Sequence, residues 1–149
     1  MRALRIFVGM GVLMGIDFGL KRTGIAVTDS EQRISSPLCT VSSDLLLAWL
    51  KEYCCKNLVS GFIIGYPLSL SGTPTHITEN VLLLKEVLVK EFPDVLVELQ
   101  DERYSSKRAS HSIHLVGKKK MSKDKALLDR VSAALILQDY LRVRENSQN

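Results

Sequence analysis

The sequence predicts an α/β domain: a mixed sheet with helices on both faces. Two β-rich apolar segments, Val12–Phe18 and Thr23–Asp29, lie one tight turn apart, which is hairpin spacing. Beyond Ser43, apolar runs of strand length alternate with stretches whose apolar residues recur every three to four positions. The chain has 149 residues, 46% of them hydrophobic and 24% charged, enough for one self-sufficient core. Alternating strands and helices make a layered α/β architecture, and the opening meander argues against a purely parallel sheet.

The elements follow in order. Gly19-Leu20-Lys21-Arg22 makes the first turn. Ile34–Val41 reads as a third strand, edge-like because Pro37 cannot donate to a ladder. Ser43-Asp44 opens a helix with Leu46, Trp49, Leu50 and Tyr53 on its inner face. Leu58–Ile64 is a buried strand bounded by Gly65. A loop from Tyr66 to Thr73 leads to Thr73-Pro74, an N-cap with proline at the first helical position. Ile77, Val81, Leu84 and Leu88 mark that helix's apolar face. Val95–Gln100 is a strand ending in Asp101-Glu102-Arg103. A helix capped by Ser105 or Ser106 follows, with Ala109, Ile113 and Val116 inward and Gly117 at its C-terminus. Asp124–Arg142 is the longest helix, with Leu128, Val131, Leu135 and Gln138 on one stripe. No linker divides the chain, which reads as an extension (1–11), one domain (12–142) and a tail (143–149).

Composition excludes several classes. The apolar content rules out a disordered or collagen-like chain. No apolar run reaches the ~20 residues of a membrane span. Cys39, Cys54 and Cys55 are odd in number and lack metal-ligand spacing, as expected of free thiols in a reducing cytosol. Arg2 and Arg5 precede the apolar stretch Ile6–Ile16, as in a signal peptide. No small-residue cleavage site follows, so a cytoplasmic protein is expected. The net charge is +4. Arg103, Lys107, Arg108, Lys118, Lys119, Lys120, Lys123, Lys125 and Arg130 stand against only Glu102, Asp124 and Asp129, so the rest of the chain is net acidic. Such a local positive field attracts a phosphate backbone; a solvated lysine-rich loop is nearly as good a reading.

Three places carry potential chemistry. Asp17 lies within the apolar strand, between Gly15 and Gly19, and burying an unpaired carboxylate is costly. The flanking glycines admit another backbone or a phosphate, and Arg22 is a candidate partner. Asp101 and Glu102 end a strand, where α/β proteins build sites. Their side chains point to opposite faces, and spacing alone does not choose between them. Asp129 shares a helical face with Ala133, Ile136 and Tyr140, and Lys125 or Arg130 could neutralise it. Three such carboxylates suit a hard cation such as Mg²⁺, which takes oxygen ligands. The loop beginning Gly65-Tyr66-Pro67 and passing through Gly72 runs to a helix N-terminus, where phosphate binds readily, though a plain βα loop explains it equally well. His111 and His114 have no obvious third ligand and read as packing or solvated residues.

Four segments in this order resemble one family. They are Gly15-Ile16-Asp17-Phe18-Gly19 with Lys21-Arg22-Thr23-Gly24; Gly65-Tyr66-Pro67 with Gly72; Asp101-Glu102-Arg103-Tyr104-Ser105; and Asp129 ahead of Ala133-Ala134 and Ile136-Leu137-Gln138. Together they resemble the YqgF family of bacterial nucleases, described as Holliday-junction resolvases and as enzymes that process the 5′ end of pre-16S ribosomal RNA. The resemblance spans Leu13 to Leu141. It implies an RNase H-like fold with a five-stranded sheet whose first three strands are antiparallel. It implies an acidic site of Asp17, Glu102 and Asp129 that holds Mg²⁺ or Mn²⁺, so it selects Glu102 over Asp101. Lys21, Arg22, Arg103, Lys118, Lys119, Lys120 and Lys123 would hold backbone phosphates, and Gly65, Pro67 and Gly72 would form the substrate loop. Ser71 departs from the acidic or amide residue common before Gly72, and residues 1–11 extend past the usual start. The expected activity is metal-dependent hydrolysis of phosphodiester bonds in pre-rRNA, by a monomer or weak homodimer. The alternatives are resolution of branched DNA, which needs two symmetry-related sites, and a non-catalytic RNA-binding assembly factor. Asp17-x-Gly19 with Thr23-Gly24 also resembles the phosphate loop of actin-like ATPases, but the chain is too short for their two lobes.

Overall fold

The computed structural model describes residues 11–67, 77–102 and 124–148. One five-stranded sheet runs in the order β3-β2-β1-β4-β5. Its strands are β1 (Val12–Phe18), β2 (Arg22–Thr28), β3 (Ser35–Ser42), β4 (Val59–Tyr66) and β5 (Leu96–Asp101). β1, β2 and β3 form an antiparallel meander, while β4 runs parallel to β1 and β5 parallel to β4. The mixed sheet expected from the opening hairpin is present. Among the described residues three helices pack on it: α1 (Leu46–Lys56), α2 (Thr78–Glu91) and α3 (Lys125–Gln148). The helix expected after Ser105 lies outside the described residues.

Strand alternation sorts the sheet into two faces. Met14, Ile16, Ile25, Phe62 and Ile64 face α1 and α2, where Leu46, Leu50, Val81 and Leu88 complete a buried cluster. Phe62 meets Phe92 edge-to-face, with ring centroids 5.1 Å apart. On the other face Leu13, Ala26 and Ile63 pack against Ala133, Ile136 and Leu137 of α3. The inward stripe of α3 is therefore Ala133, Ile136 and Leu137. The expected stripe of Leu128, Val131, Leu135 and Gln138 lies to its side, and Gln138 is exposed. The sheet makes the choice, because the backbone of α3 approaches β1 and β2 most closely at Ala133 and Asp129.

That floor is glycine. A Cβ on Gly15 would lie 2.7 Å from the carbonyl oxygen of Ala133 and 2.8 Å from Cβ of Leu137. A Cβ on Gly24 would overlap the carbonyl of Asp129. The backbone of α3 thus rests directly on β1 and β2. Two hydroxyls of β3 fasten it: Ser35 Oγ donates to the Ala134 carbonyl at 2.8 Å and Thr40 Oγ1 to the Ala126 carbonyl at 2.5 Å.

Both ends of α3 are fixed. Asp124 Oδ1 accepts the backbone N–H of Leu127 at 2.9 Å, as an N-cap does. The helix runs on to Gln148 rather than ending at Arg142, through most of the segment expected as a tail. Arg144 explains this extension: its Nη1 donates to Gln32 Oε1 at 2.8 Å. Gln32 is buried in the β2–β3 turn at a left-handed φ of 59°, and its Nε2 donates to the Gly11 carbonyl at 2.7 Å.

Other boundaries shift for local reasons. Pro37 sits where the β2–β3 register slips, on the outer strand, as a residue without an N–H must. Ser43 opens a 3-10 turn, Ser43–Leu45, before α1 begins. Its hydroxyl caps no helix; it donates to the Gly19 carbonyl at 2.6 Å and closes the β1–β2 turn. Cys39 and Cys54 are partly buried free thiols, and Cys55 is exposed. No helix among the described residues is long and apolar enough to cross a membrane.

Replacing Gly24 by Ala should cost about 1–3 kcal/mol, the usual penalty of overpacking, because α3 must lift off β2. Thermal unfolding checks this, and an unchanged midpoint would mean that α3 is not seated on this glycine.

Candidate active site

The sheet gathers the acidic residues at one edge. β1, β4 and β5 are parallel, so their C-terminal ends lie together. Asp17 lies near the end of β1, opposite Gly24 of β2. By alternation it points to the α3 face, with Leu13 and Gly15. Glu102 follows β5 directly, its N–H donating to the Tyr66 carbonyl at 3.3 Å. Asp129 lies in the first turns of α3, where that helix crosses Gly24.

Glycine makes room for Glu102 as well. A Cβ on Gly65 would collide with the Glu102 carboxylate and with Cδ1 of Ile136. Gly65 therefore belongs to the acidic site as the surface under a carboxylate. Of the adjacent acids, Glu102 is the one turned toward the α3 face, and Asp101 is exposed. The Pro67 carbonyl accepts the Thr78 hydroxyl at 2.7 Å, which ties the start of the loop to the start of α2.

The carboxylates perturb one another. Burial pushes the Asp17 carboxyl up from 3.8 to about 7, and the negative charge of Asp129 adds to the rise. Burial likewise pushes Glu102 up to about 8, reinforced by Asp17 and then by Asp101. No hydrogen bond reaches the Asp17 carboxylate among the described residues. Asp17 is thus poised between a protonated acid and a carboxylate that needs a counter-charge.

The structure rearranges the expected ion pairs. Arg22 pairs with Asp129, not with Asp17: its Nε lies 2.7 Å from Asp129 Oδ2. The same pair supplies the neutralising cation that Lys125 or Arg130 was expected to provide. Arg22 can do this because it alternates with Gly24 and Ala26 on β2 and so rises beside α3. With Asp129 held there, the three acids do not close into a cage. Among the described residues no three His, Cys, Asp or Glu side chains converge tightly enough to enclose a metal ion.

The donor set still fits a divalent cation. Such ions take oxygen ligands, often only one or two protein carboxylates, with water and substrate phosphate completing the shell. Asp17 and Glu102 are two mutually repelling carboxyls whose ionised forms a cation would stabilise.

The turn beside Asp17 is locked by Ser43, the residue expected to open a helix. Thr23, fully buried, shares a 2.8 Å hydrogen bond with Ser43 Oγ, which in turn donates to the Gly19 carbonyl. The Ser43 N–H donates to the Lys21 carbonyl at 2.9 Å. Lys21 and Arg22 are exposed at this turn, flanking the acids. Of the remaining expected phosphate-holding and loop residues, Arg103, Lys118, Lys119, Lys120, Lys123 and Gly72 lie outside the described residues, as do His111 and His114.

A "Putative pre-16S rRNA nuclease" of Flavobacterium psychrophilum is 41% identical over 130 residues, 87% of this chain and 95% of its own. One of Amoebophilus asiaticus is 43% identical over 133 residues, 89% of this chain and 94% of its own. One of Bacteroides thetaiotaomicron is 40% identical over 133 residues, covering 89% and 96%. The profile of the family described as "RuvX: Holliday junction resolvase" matches residues 11–143. The chain belongs to that family, RuvX or YqgF, which its four motifs resemble.

Proposed function

We propose that this protein is a Mg²⁺- or Mn²⁺-dependent nuclease that trims the 5′ end of the small-subunit rRNA precursor in the cytoplasm. One observation carries the reading: Asp17 and Glu102 are brought together on one edge of the sheet with both carboxyls pushed far above their ordinary range. A protein that gained nothing from this arrangement would retain a destabilising cluster. The names of the relatives favour precursor rRNA as substrate. The family description favours branched DNA as the second reading.

In this mechanism Asp17 and Glu102 hold the cation, and Asp129 completes the acidic set. When bound, such a cation would supply Lewis-acid activation of a water and charge neutralisation at the leaving oxygen. Arg22 and Lys21 hold backbone phosphates beside the acids, with Arg103 and the Lys118–Lys123 segment extending the basic track. Gly65 keeps the floor flat, so Glu102 stays against β4. Ser43 and Thr23 fix the turn that carries Lys21 and Arg22.

Asp17→Asn should lower metal-dependent cleavage of a pre-16S 5′-leader RNA by more than about a hundredfold while leaving the fold intact. A four-way DNA junction assayed in parallel decides the substrate. Cutting of the junction alone would transfer the reading to resolvase. RNA binding with no metal-dependent cutting of either would make the protein an assembly factor.

The raised carboxyls also set a pH dependence. A group whose folded pKa exceeds its unfolded value contributes stability at low pH and loses it as the pH rises through the folded pKa. For Asp17 and Glu102 that window runs from about pH 4 to about pH 8. The metal-free protein should therefore lose stability relative to Asp17→Asn across this window. Millimolar Mg²⁺ should restore it at about pH 8 and do little at about pH 5, where the carboxyls are protonated. Thermal melts of the two proteins with and without Mg²⁺ read the difference, and parallel curves would contradict the site.

A further inference from the structure

Resting on the nuclease reading, we infer that Arg22 is a positioning residue: a latch on Asp129 that couples the arrival of a nucleic-acid phosphate to completion of the cation site. Arg22 Nε is 2.7 Å from Asp129 Oδ2, and the two side chains are 42% and 22% exposed. The pair is accessible to a ligand. A guanidinium has five N–H donors, and a phosphate can take two of them in a fork. Only Nε is engaged among the described residues. The Nη1 and Nη2 groups make no hydrogen bond among those residues.

Asp129 sits where two demands on it compete. Its charge is felt by Asp17. Its backbone cannot move away, because its carbonyl is pressed onto Gly24. Only the side chain can choose a partner, and that partner is Arg22. A phosphate drawn to the guanidinium weakens this hold, and the Asp129 carboxylate becomes available beside Asp17. Without nucleic acid, Arg22 occupies the third carboxylate and the cation is held by two. The coupling is reciprocal: a cation drawing on Asp129 releases Arg22 for phosphate. The nuclease therefore assembles its full acidic set on a bound backbone, which limits idle loading of the cation.

The test is a double-mutant cycle read by calorimetric Mn²⁺ affinity with no nucleic acid present. Arg22→Gln should tighten Mn²⁺ binding about twofold to fivefold, the range of a partly exposed ion pair. In an Asp129→Asn background the same substitution should have far less effect. A 2′-O-methyl RNA oligonucleotide should tighten Mn²⁺ binding to the wild type and not to Arg22→Gln. Unchanged affinity in Arg22→Gln would overturn the latch. So would equal tightening in both backgrounds, which would show only the loss of a nearby positive charge. Asp17→Asn separates the two levels of argument. If it binds Mn²⁺ as the wild type does, the nuclease reading fails; if it loses Mn²⁺ and the cycle shows no coupling, only the latch fails.

Discussion

The structure depends on one contact: the backbone of α3 lying directly on two strands. Gly15 and Gly24 leave no side chain between sheet and helix, and the Asp129 and Ala133 carbonyls occupy that space. Any larger residue would separate the layers. The buried cluster of Leu13, Ala26, Ile63, Ala133, Ile136 and Leu137 forms around this contact. The β3 hydroxyls that fasten α3 and the Arg144–Gln32 bond at its far end hold the register. Because α3 crosses Gly24, and Gly24 pairs with Asp17, Asp129 reaches the end of β1. The packing and the acidic site are two results of the same seating.

That seating places like charges together, which opposes folding. Desolvation dominates at both Asp17 and Glu102, and charge repulsion adds to it. The fold tolerates this because the opposite face carries a larger apolar cluster, with Phe62, Leu50 and Leu88 fully buried. Arg22 offsets part of the repulsion by taking Asp129. An acidic site held under strain and partly neutralised by its own arginine is suited to a ligand that is itself an anion bound to a cation.

Much of this was legible in the sequence. The first strand has the limits its sequence predicts, Val12–Phe18, because its apolar run is closed by a turn. Asp17 stood out because a carboxylate within such a run demands a reason. The face that Asp129 shares with Ala133 and Ile136 was also readable. The dominant stripe of α3 was not, since Leu128, Val131 and Leu135 are more apolar than Ala133; a glycine floor on distant strands selects the small residue. Ser43 resembled an ordinary helix cap, and only the fold brings it to Gly19. Glu102 and Asp101 differ by the strand's alternation, whose phase is fixed by pairing with β4. The partner of Arg22 lies far along the chain and belongs to the same class of long-range fact.

The central claim is that the seating of α3 builds a cation site from Asp17 and Glu102. Anomalous diffraction from crystals soaked in Mn²⁺ tests it most directly. The account predicts one strong peak within coordination distance of both carboxylates, above Gly65 and beside Asp129. No peak there in a crystal that binds Mn²⁺ elsewhere, with Asp17 and Glu102 hydrogen-bonded to each other, would contradict it.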